Sequence, residues 1–188
     1  MADYRSATLM EYLDALAARA SVPGGGSAAA LDAAMGVALI SMVINFTIGK
    51  PRYARYEKEL KKALEKSEKL REEFLQLVDL DAAAYKSRSL RDALDVPFMV
   101  CRLCLEGAKL LPGLVKNSNP NLISDVAVAA AFLESAFSAA YFNVRINLKS
   151  LNDKKLDSRI NKELLSKEKI LRRIRYQTEE KVGKIIRG

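Results

Sequence analysis

Apolar residues recur at helical spacing through every substantial segment of this 188-residue chain, and no segment shows the sustained alternation typical of a strand. Ala, Leu, Lys and Glu are abundant, and nine Gly and five Pro are few for an all-β protein. The sequence therefore predicts an all-α fold, an up-and-down bundle of five to six long helices. No repeat or linker divides the chain, so we expect one domain over residues 1–188.

Helix breakers set the predicted boundaries. Pro51 cannot continue a helix, and "NSNPN" at 117–121 is typical of a turn. Ser27 is a favourable N-cap for the second helix. The predicted helices cover residues 6–20, 27–48, 52–85, 90–116 with a kink or restart at Pro97, 122–151 and 157–186.

The most apolar run, residues 33–44, is shorter than the roughly 20 residues that a membrane span needs. Asp32 and Asn45 bracket it, so we expect a buried core helix. The first twenty residues are charged and show no signal peptide. These features predict a cytoplasmic protein with no membrane association.

The formal net charge of +8 is concentrated at the end of the chain. Residues 149–188 hold 13 Lys and Arg against 6 Asp and Glu, a net charge of +7. A basic segment is compatible with nucleic acid or an anionic surface, and equally with a solvated helix face. Tyr176 is its only aromatic residue, so we favour the solvated face and do not expect nucleic acid as a partner.

The chain contains no histidine, which removes the usual general base and the commonest zinc ligand. Proton transfer must therefore use Asp, Glu, Lys, Tyr, Cys or water. Cys101 and Cys104 form a CxxC within an apolar helical stretch, and no second pair completes a metal site. We interpret both as core residues.

Three consecutive glycines, Gly24, Gly25 and Gly26, precede Ser27 and an alanine-rich helix in "SVPGGGSAAALDAAMG". A loop without side chains before a helix N-terminus exposes backbone N–H groups, and the helix dipole adds positive potential. The alternative is a flexible turn between helices. No Gly-Lys-Ser/Thr follows, so the stretch is not a phosphate loop. Spacing alone does not choose between a ligand loop and a turn.

Several polar residues lie in apolar helical segments, namely Asp79, Asp81, Asp125, Asn143 and Asn147. A carboxylate in such surroundings must be paired, hydrogen-bonded or shifted in pKa, so these are candidate acids and bases. Each has a structural alternative: Asp125 could cap a helix, Asp79 could be exposed, and Asn143 could be satisfied at a helix contact.

Asp125 and Asn143 are 18 residues apart, so they share one helix face but lie about 27 Å apart along it. One small substrate cannot touch both within a single subunit. Two antiparallel copies of this helix could bring Asp125 of one chain near Asn143 of the other. We therefore predict a homodimer with sites between subunits.

Five ordered blocks together resemble the cyclodeaminase/cyclohydrolase family of folate enzymes. They are "VPGGGSAAAL", "MVINFTIGK", "LVDLDAAAY", "NPNLISDVAVAA" and "AAYFNVRINLKSL", and they span nearly the whole chain. The resemblance implies an all-helical dimer that binds folate near the glycines and needs no metal or organic cofactor. It implies a substrate loop at Gly24, Gly25, Gly26 and Ser27, and cleft residues Asp81, Asp125 and Asn143, with Lys50 in the block that closes the second helix.

The implied activity is hydrolysis of 5,10-methenyltetrahydrofolate or cyclisation of 5-formiminotetrahydrofolate with loss of ammonia. Asp125, Asp81 and Lys50 are the candidate acids and bases, and Lys50 and Arg145 could receive the anionic tail of the folate. Family members usually carry a longer polar excursion where "KSRSLRDALD", residues 86–95, crosses directly here. This departure leaves open a second function, a helical binding or scaffold protein that keeps the fold without the catalysis.

Overall fold

Residues 3–188 are described by a computed structural model, and the predicted all-α bundle is confirmed: these residues contain no strand. Three short 3₁₀ segments, Tyr4–Ser6, Pro51–Tyr56 and Pro120–Leu122, link longer elements. The α-helices are α1 (Leu9–Ala17), α2 (Gly25–Asn45), α3 (Glu57–Ser87), α4 (Leu90–Ala108), α5 (Leu111–Asn117), α6 (Ile123–Leu151) and α7 (Lys154–Arg187).

Helix α2 is the centre of the bundle and packs between α3 and α6. The Ser41 hydroxyl bonds the Ser67 hydroxyl of α3 at 2.8 Å. A Cβ on Gly36 would lie 3.2 Å from the Leu133 side chain of α6, so the missing side chain permits close approach. The predicted core helix at 33–44 is confirmed, because most of its apolar side chains are buried. The fully buried ones are Ala33, Val37, Ile40, Val43 and Ile44.

Several predicted boundaries are wrong, among them the start of the third helix, which begins at Glu57 rather than at residue 52 because Pro51–Tyr56 is 3₁₀. The first helix covers Leu9–Ala17 rather than 6–20, because a reciprocal capping box between Thr8 and Glu11 fixes its start. The predicted 90–116 helix is two helices, and the break falls at Lys109–Leu110 rather than at Pro97. Pro112 lies in the first turn of α5, where a missing N–H is tolerated and a new helix can begin.

Pro97 lies inside α4 without ending it, and Asn147 explains why. Proline has no N–H, so the carbonyl of Ala93 four residues earlier loses its helical partner. The Asn147 Nδ2 of α6 donates a hydrogen bond to that carbonyl. The sequence made Asn147 a candidate functional residue. In the structure it replaces the hydrogen bond that α4 lacks at Pro97.

The two cysteines and the basic C-terminal helix are placed as interpreted. Cys101 and Cys104 are fully buried, and the Cys101 Sγ donates to the Phe137 carbonyl at 3.6 Å. Helix α7 packs its apolar stripe on the core, while Arg175 bonds Glu134 of α6 at 2.9 Å. Four of the twelve Lys and Arg of α7 form ion pairs within the described residues, and the other eight are exposed, as expected for a solvated face.

Helix α2 and the stretch Pro120–Leu151 are long and apolar enough to cross a membrane by length and composition alone. Within the bundle, 61% of the apolar window of α2 is buried. Core helices of soluble proteins pass the same test, so this likeness to membrane spans is weak evidence.

Candidate active site

The glycines lie at the start of α2 rather than in a loop before it. The helix begins at Gly25, with Gly24 as its N-cap, so the prediction that Ser27 is the N-cap is wrong. Ser27 is buried in the first turn, and its backbone N–H donates to Asp81 Oδ2 of α3 at 3.0 Å. A carboxylate from another helix therefore does the work of a side-chain cap.

Two of the glycines meet different neighbours. A Cβ on Gly26 would overlap the Asp81 carboxylate, so only glycine permits this contact. Gly25 is exposed, and a Cβ there would lie 3.5 Å from Asn143 Nδ2, an ordinary contact distance. Gly26 is thus required by packing, whereas Gly25 leaves bare backbone open beside Asn143.

Asp81 is half-buried and accepts one hydrogen bond from the backbone. Burial raises the pKa of its carboxyl, and the Ser27 N–H opposes this only in part. Among residues 3–188 no cation forms an ion pair with it, although α3 carries many lysines. A carboxylate of raised pKa next to open backbone is suited to accept and return a proton.

Two tyrosines support the start of α2, and the sequence did not indicate that either belongs to the site. The buried Tyr12 hydroxyl bonds the Ser27 hydroxyl at 3.1 Å, and the Tyr4 ring meets the Tyr12 ring edge-on. Asp79 accepts the Tyr4 N–H at 2.7 Å, so it anchors the N-terminal turn. Tyr12 belongs to the apolar stripe of the first helix, and nothing in that stripe signals the role of its hydroxyl.

A cavity of about 670 Å³ lies between the segment before α2, the end of α3 and the start of α4, and none of Gly24, Gly25, Gly26, Asp81 or Asn143 lines it. Its wall includes Val22, from the segment before α2, and Asn147, one turn beyond Asn143. Lys86 and Arg88 also line it and form no ion pair within the described residues. Both belong to the 86–95 crossing, where sequence reasoning noted only a shortened loop.

That crossing is a tight link between α3 and α4. Arg88 adopts a left-handed backbone with φ of 57°, and the Ser89 hydroxyl caps α4 by accepting the Asp92 N–H at 3.2 Å. Helix α4 therefore begins at Leu90, and the crossing forms the rim of the cavity.

The remaining predicted site residues lie elsewhere in this protomer. Lys50 follows the far end of α2, about 30 Å from Gly25 along a 21-residue helix. Asp125 lies in the first turn of α6, at the same far end, because α6 runs antiparallel to α2. Arg145 is exposed and bonds Asp157 at 3.0 Å. One protomer thus brings together the glycines, Ser27, Asp81 and Asn143, and not Lys50, Asp125 or Arg145.

Comparison with known proteins gives a consistent result. The model of the Formiminotransferase-cyclodeaminase family matches residues 8–89 and 86–166, and the two matches meet at the crossing. A methenyltetrahydrofolate cyclohydrolase of Methylorubrum extorquens is 37% identical over 180 residues, covering 84% of this chain and 86% of that protein. The formimidoyltransferase-cyclodeaminase of Rattus norvegicus is 31% identical over 78% of this chain, which spans only 31% of that longer protein.

A solved structure of the same architecture supports the match. The formiminotetrahydrofolate cyclodeaminase of Thermotoga maritima superposes with a TM-score of 0.91 at 29% identity, covering 96% of this chain and 98% of that one. The likeness therefore extends over the whole bundle, including both sides of the crossing. On the family match and the 37% identity together, this chain belongs to the formiminotransferase-cyclodeaminase family.

Proposed function

We propose that this protein is a folate-dependent one-carbon enzyme that hydrolyses 5,10-methenyltetrahydrofolate to 10-formyltetrahydrofolate. Similarity to a cyclohydrolase over most of both chains supports this activity. The observation that carries it is the half-buried Asp81 carboxylate, whose pKa is raised, beside the open backbone at Gly25. This arrangement favours catalysis over the alternative of a non-catalytic scaffold.

The proposed chemistry needs only a base and an oriented water. The methenyl carbon of the substrate is already electrophilic, so water can add to it directly. Asp81 takes the proton from that water and returns it to N5 as the bond from the carbon to N5 breaks. The added hydroxyl loses its remaining proton to solvent, which leaves the formyl group on N10. Asn143 and the first turn of α2 would hold the ligand over Asp81. No metal or organic cofactor takes part in this scheme.

Cyclodeamination is the second candidate, because the superposed Thermotoga maritima protein is a formiminotetrahydrofolate cyclodeaminase. Here N10 attacks the formimino carbon and ammonia leaves with a proton. A carboxyl of raised pKa holds its proton at higher pH than an ordinary Asp, so Asp81 suits the donor role as well.

For the anionic tail of the folate, the geometry favours Lys86 and Arg88 over the residues first considered. Both line the cavity of about 670 Å³, whose wall also holds Val22, three residues before Gly25, and Asn147, one turn beyond Asn143. Neither forms an ion pair within the described chain. Arg145 is occupied by Asp157, and Lys50 lies at the other end of α2. The proposed ligand therefore runs from Asp81 along the crossing.

An absorbance assay with purified protein tests the activity. We expect loss of the methenyltetrahydrofolate absorption at a rate proportional to enzyme concentration, above the rate of spontaneous hydrolysis. With 5-formiminotetrahydrofolate, appearance of the same absorption together with ammonia would identify the cyclodeaminase instead. Enzyme-independent rates with both substrates would favour the scaffold.

We further propose a homodimer formed through the outer face of α2 and α6. Exposed apolar side chains follow this face, with Met35 44%, Phe46 56%, Val128 42% and Phe142 74% exposed. Antiparallel pairing of two α6 helices would cross near Ser135 and carry Asp125 of one copy toward Asn143 of the other. In that arrangement Lys50 also comes near the partner's glycines.

Folate would be the other partner, and we retain the cytoplasm as the proposed location.

The dimer makes a testable prediction about shared sites. Asp81→Asn and Asp125→Asn should each be nearly inactive alone. Mixed under conditions that exchange subunits, they should recover about a quarter of wild-type activity, because half the dimers are mixed and each holds one intact site. Sedimentation equilibrium reports the assembly, and a single species near 20.8 kDa would exclude the shared site.

A further inference from the structure

A second cavity, of about 320 Å³, lies at the end of the bundle away from Asp81. It is enclosed by the 3₁₀ segment Pro51–Tyr56, the end of α5, the turn that follows, and the C-terminal part of α7. The proposed folate site uses none of these residues. The lining side chains that could bind a ligand are Arg52, Tyr53, Arg55, Tyr56, Lys116 and Ser118.

The 3₁₀ geometry arranges the two arginines as a pair. A 3₁₀ helix has three residues per turn, so Arg52 and Arg55 lie above one another, as do Tyr53 and Tyr56. The Arg52 guanidinium lies 5.7 Å from the centre of the Tyr53 ring, and that of Arg55 lies 4.6 Å from the Tyr56 ring. Each ring thus supports one guanidinium at the cavity wall.

These cations lack counter-charges within the part of the chain that the structure describes. Neither Arg52, Arg55 nor Lys116 forms an ion pair there, and no lining residue is acidic. In contrast, Arg172 and Arg175 of α7 are both paired with Glu134. The cavity therefore concentrates positive charge that the protein itself does not neutralise.

Ser118 supplies an independent observation. Only 8% of the residue is exposed, yet its Oγ forms no hydrogen bond with any residue from 3 to 188. Its backbone N–H is satisfied by the Leu114 carbonyl at 3.0 Å, so the donor without a partner is the hydroxyl. Buried hydroxyls without a partner are rare in folded proteins, and this one lies in the wall of a cationic cavity.

We propose that this cavity binds a phosphate group. Two guanidinium groups and one ammonium match a dianion better than a single carboxylate, and guanidinium donors fit phosphate oxygens. The Ser118 hydroxyl oxygen is covered in this conformation, and rotation of the side chain about χ1 lets the hydroxyl donate to a third oxygen of the ligand, the partner that it lacks. The phosphate is either free or part of an ester whose aromatic group packs against Tyr56. None of the residues that line the cavity takes part in the proposed folate chemistry.

Calorimetry and thermal unfolding with two probes, inorganic phosphate and phenyl phosphate, test this site. Both should bind the wild-type protein and raise its Tm. Ser118→Ala should weaken binding by about tenfold, as should Arg55→Gln, since each removes a hydrogen bond to a charged ligand. Tighter binding of phenyl phosphate would identify an aromatic ester as the ligand class, and equal affinities would identify the phosphate alone.

The matched control is Arg173→Gln, which removes the same charge from an exposed position of α7 that forms no ion pair within the described residues. It should bind both probes like the wild type. Without any probe, Ser118→Ala should be as stable as the wild type or more so, because it removes an unsatisfied buried hydroxyl. Absence of binding by either probe, or equal weakening by Arg173→Gln, would overturn the proposal.

Discussion

Asp81→Asn is expected to lower turnover of methenyltetrahydrofolate by about 10²–10⁴-fold and to leave the bundle folded. The amide oxygen of asparagine can still accept the Ser27 N–H, so the start of α2 keeps its cap. The amide cannot accept a proton at neutral pH, so the base is lost. Initial rates by absorbance and thermal unfolding on the same preparations separate the two effects.

Asp79→Asn is the matched control. Asp79 lies two residues earlier on α3 and bonds the Tyr4 N–H, away from the open backbone at Gly25. It should retain most of the wild-type turnover. Near-normal turnover in Asp81→Asn would remove Asp81 from the catalytic mechanism and leave Asp125 as the better carboxylate candidate.

The pH dependence of the rate also tests whether Asp81 is the base. Because burial raises the pKa of Asp81 above 3.8, the acidic limb of the rate profile should lie above that value, with activity falling as the carboxylate takes up its proton. Stability should change in the opposite sense. The folded state binds this proton more tightly than the unfolded state, so the contribution of Asp81 to the free energy of unfolding decreases as pH rises through its folded pKa. Asp81→Asn should lack both effects.

Gly26→Val is expected to lower the free energy of unfolding by about 1–3 kcal/mol or more, because the new side chain must displace the Asp81 carboxylate. Displacement would also remove the partner of the Ser27 N–H at the start of the central helix. Denaturant unfolding measures the loss directly. Wild-type stability in this variant would contradict the contact between α2 and α3.

Gly25→Val provides the comparison at the adjacent position. Its Cβ would meet only the Asn143 side chain at an ordinary distance, so we expect a folded protein with little change in stability. The added methyl groups would cover the open backbone, and calorimetry should show folate binding abolished. Unchanged folate affinity would mean that the start of α2 is only a structural turn.

The helices could be predicted from periodicity because each long helix buries one consistent face. Two of the errors came where a side chain from a distant helix replaced a local signal. Asp81 caps α2 from 54 residues away, so Ser27 is not needed as the N-cap. Asn147, also 54 residues from its partner, satisfies the carbonyl that Pro97 leaves free. Neither bond can be inferred from the spacing of residues along one segment.

The same reason explains why only part of the candidate site could be predicted from the sequence. The glycines, Asp81 and Asn143 meet because α2 runs antiparallel to both α3 and α6, so its start lies beside the C-terminal parts of those two helices. Asp125 and Lys50 occur in equally suggestive stretches, but helix length carries them to the other end of the protomer. Lys86 and Arg88 were missed because a charged loop gives no sign of the cavity that it borders.

The crossing between α3 and α4 can change in length without changing the packing of the core. None of residues 86–89 is buried, so extra residues inserted there would displace no packed side chain. Doubling the length of a flexible loop costs only about 0.6 kcal/mol in closure entropy. Insertions and deletions at this link can therefore accumulate with almost no selection from stability. Proteins that share this bundle can therefore differ in the width of the cleft and in the cations that line it.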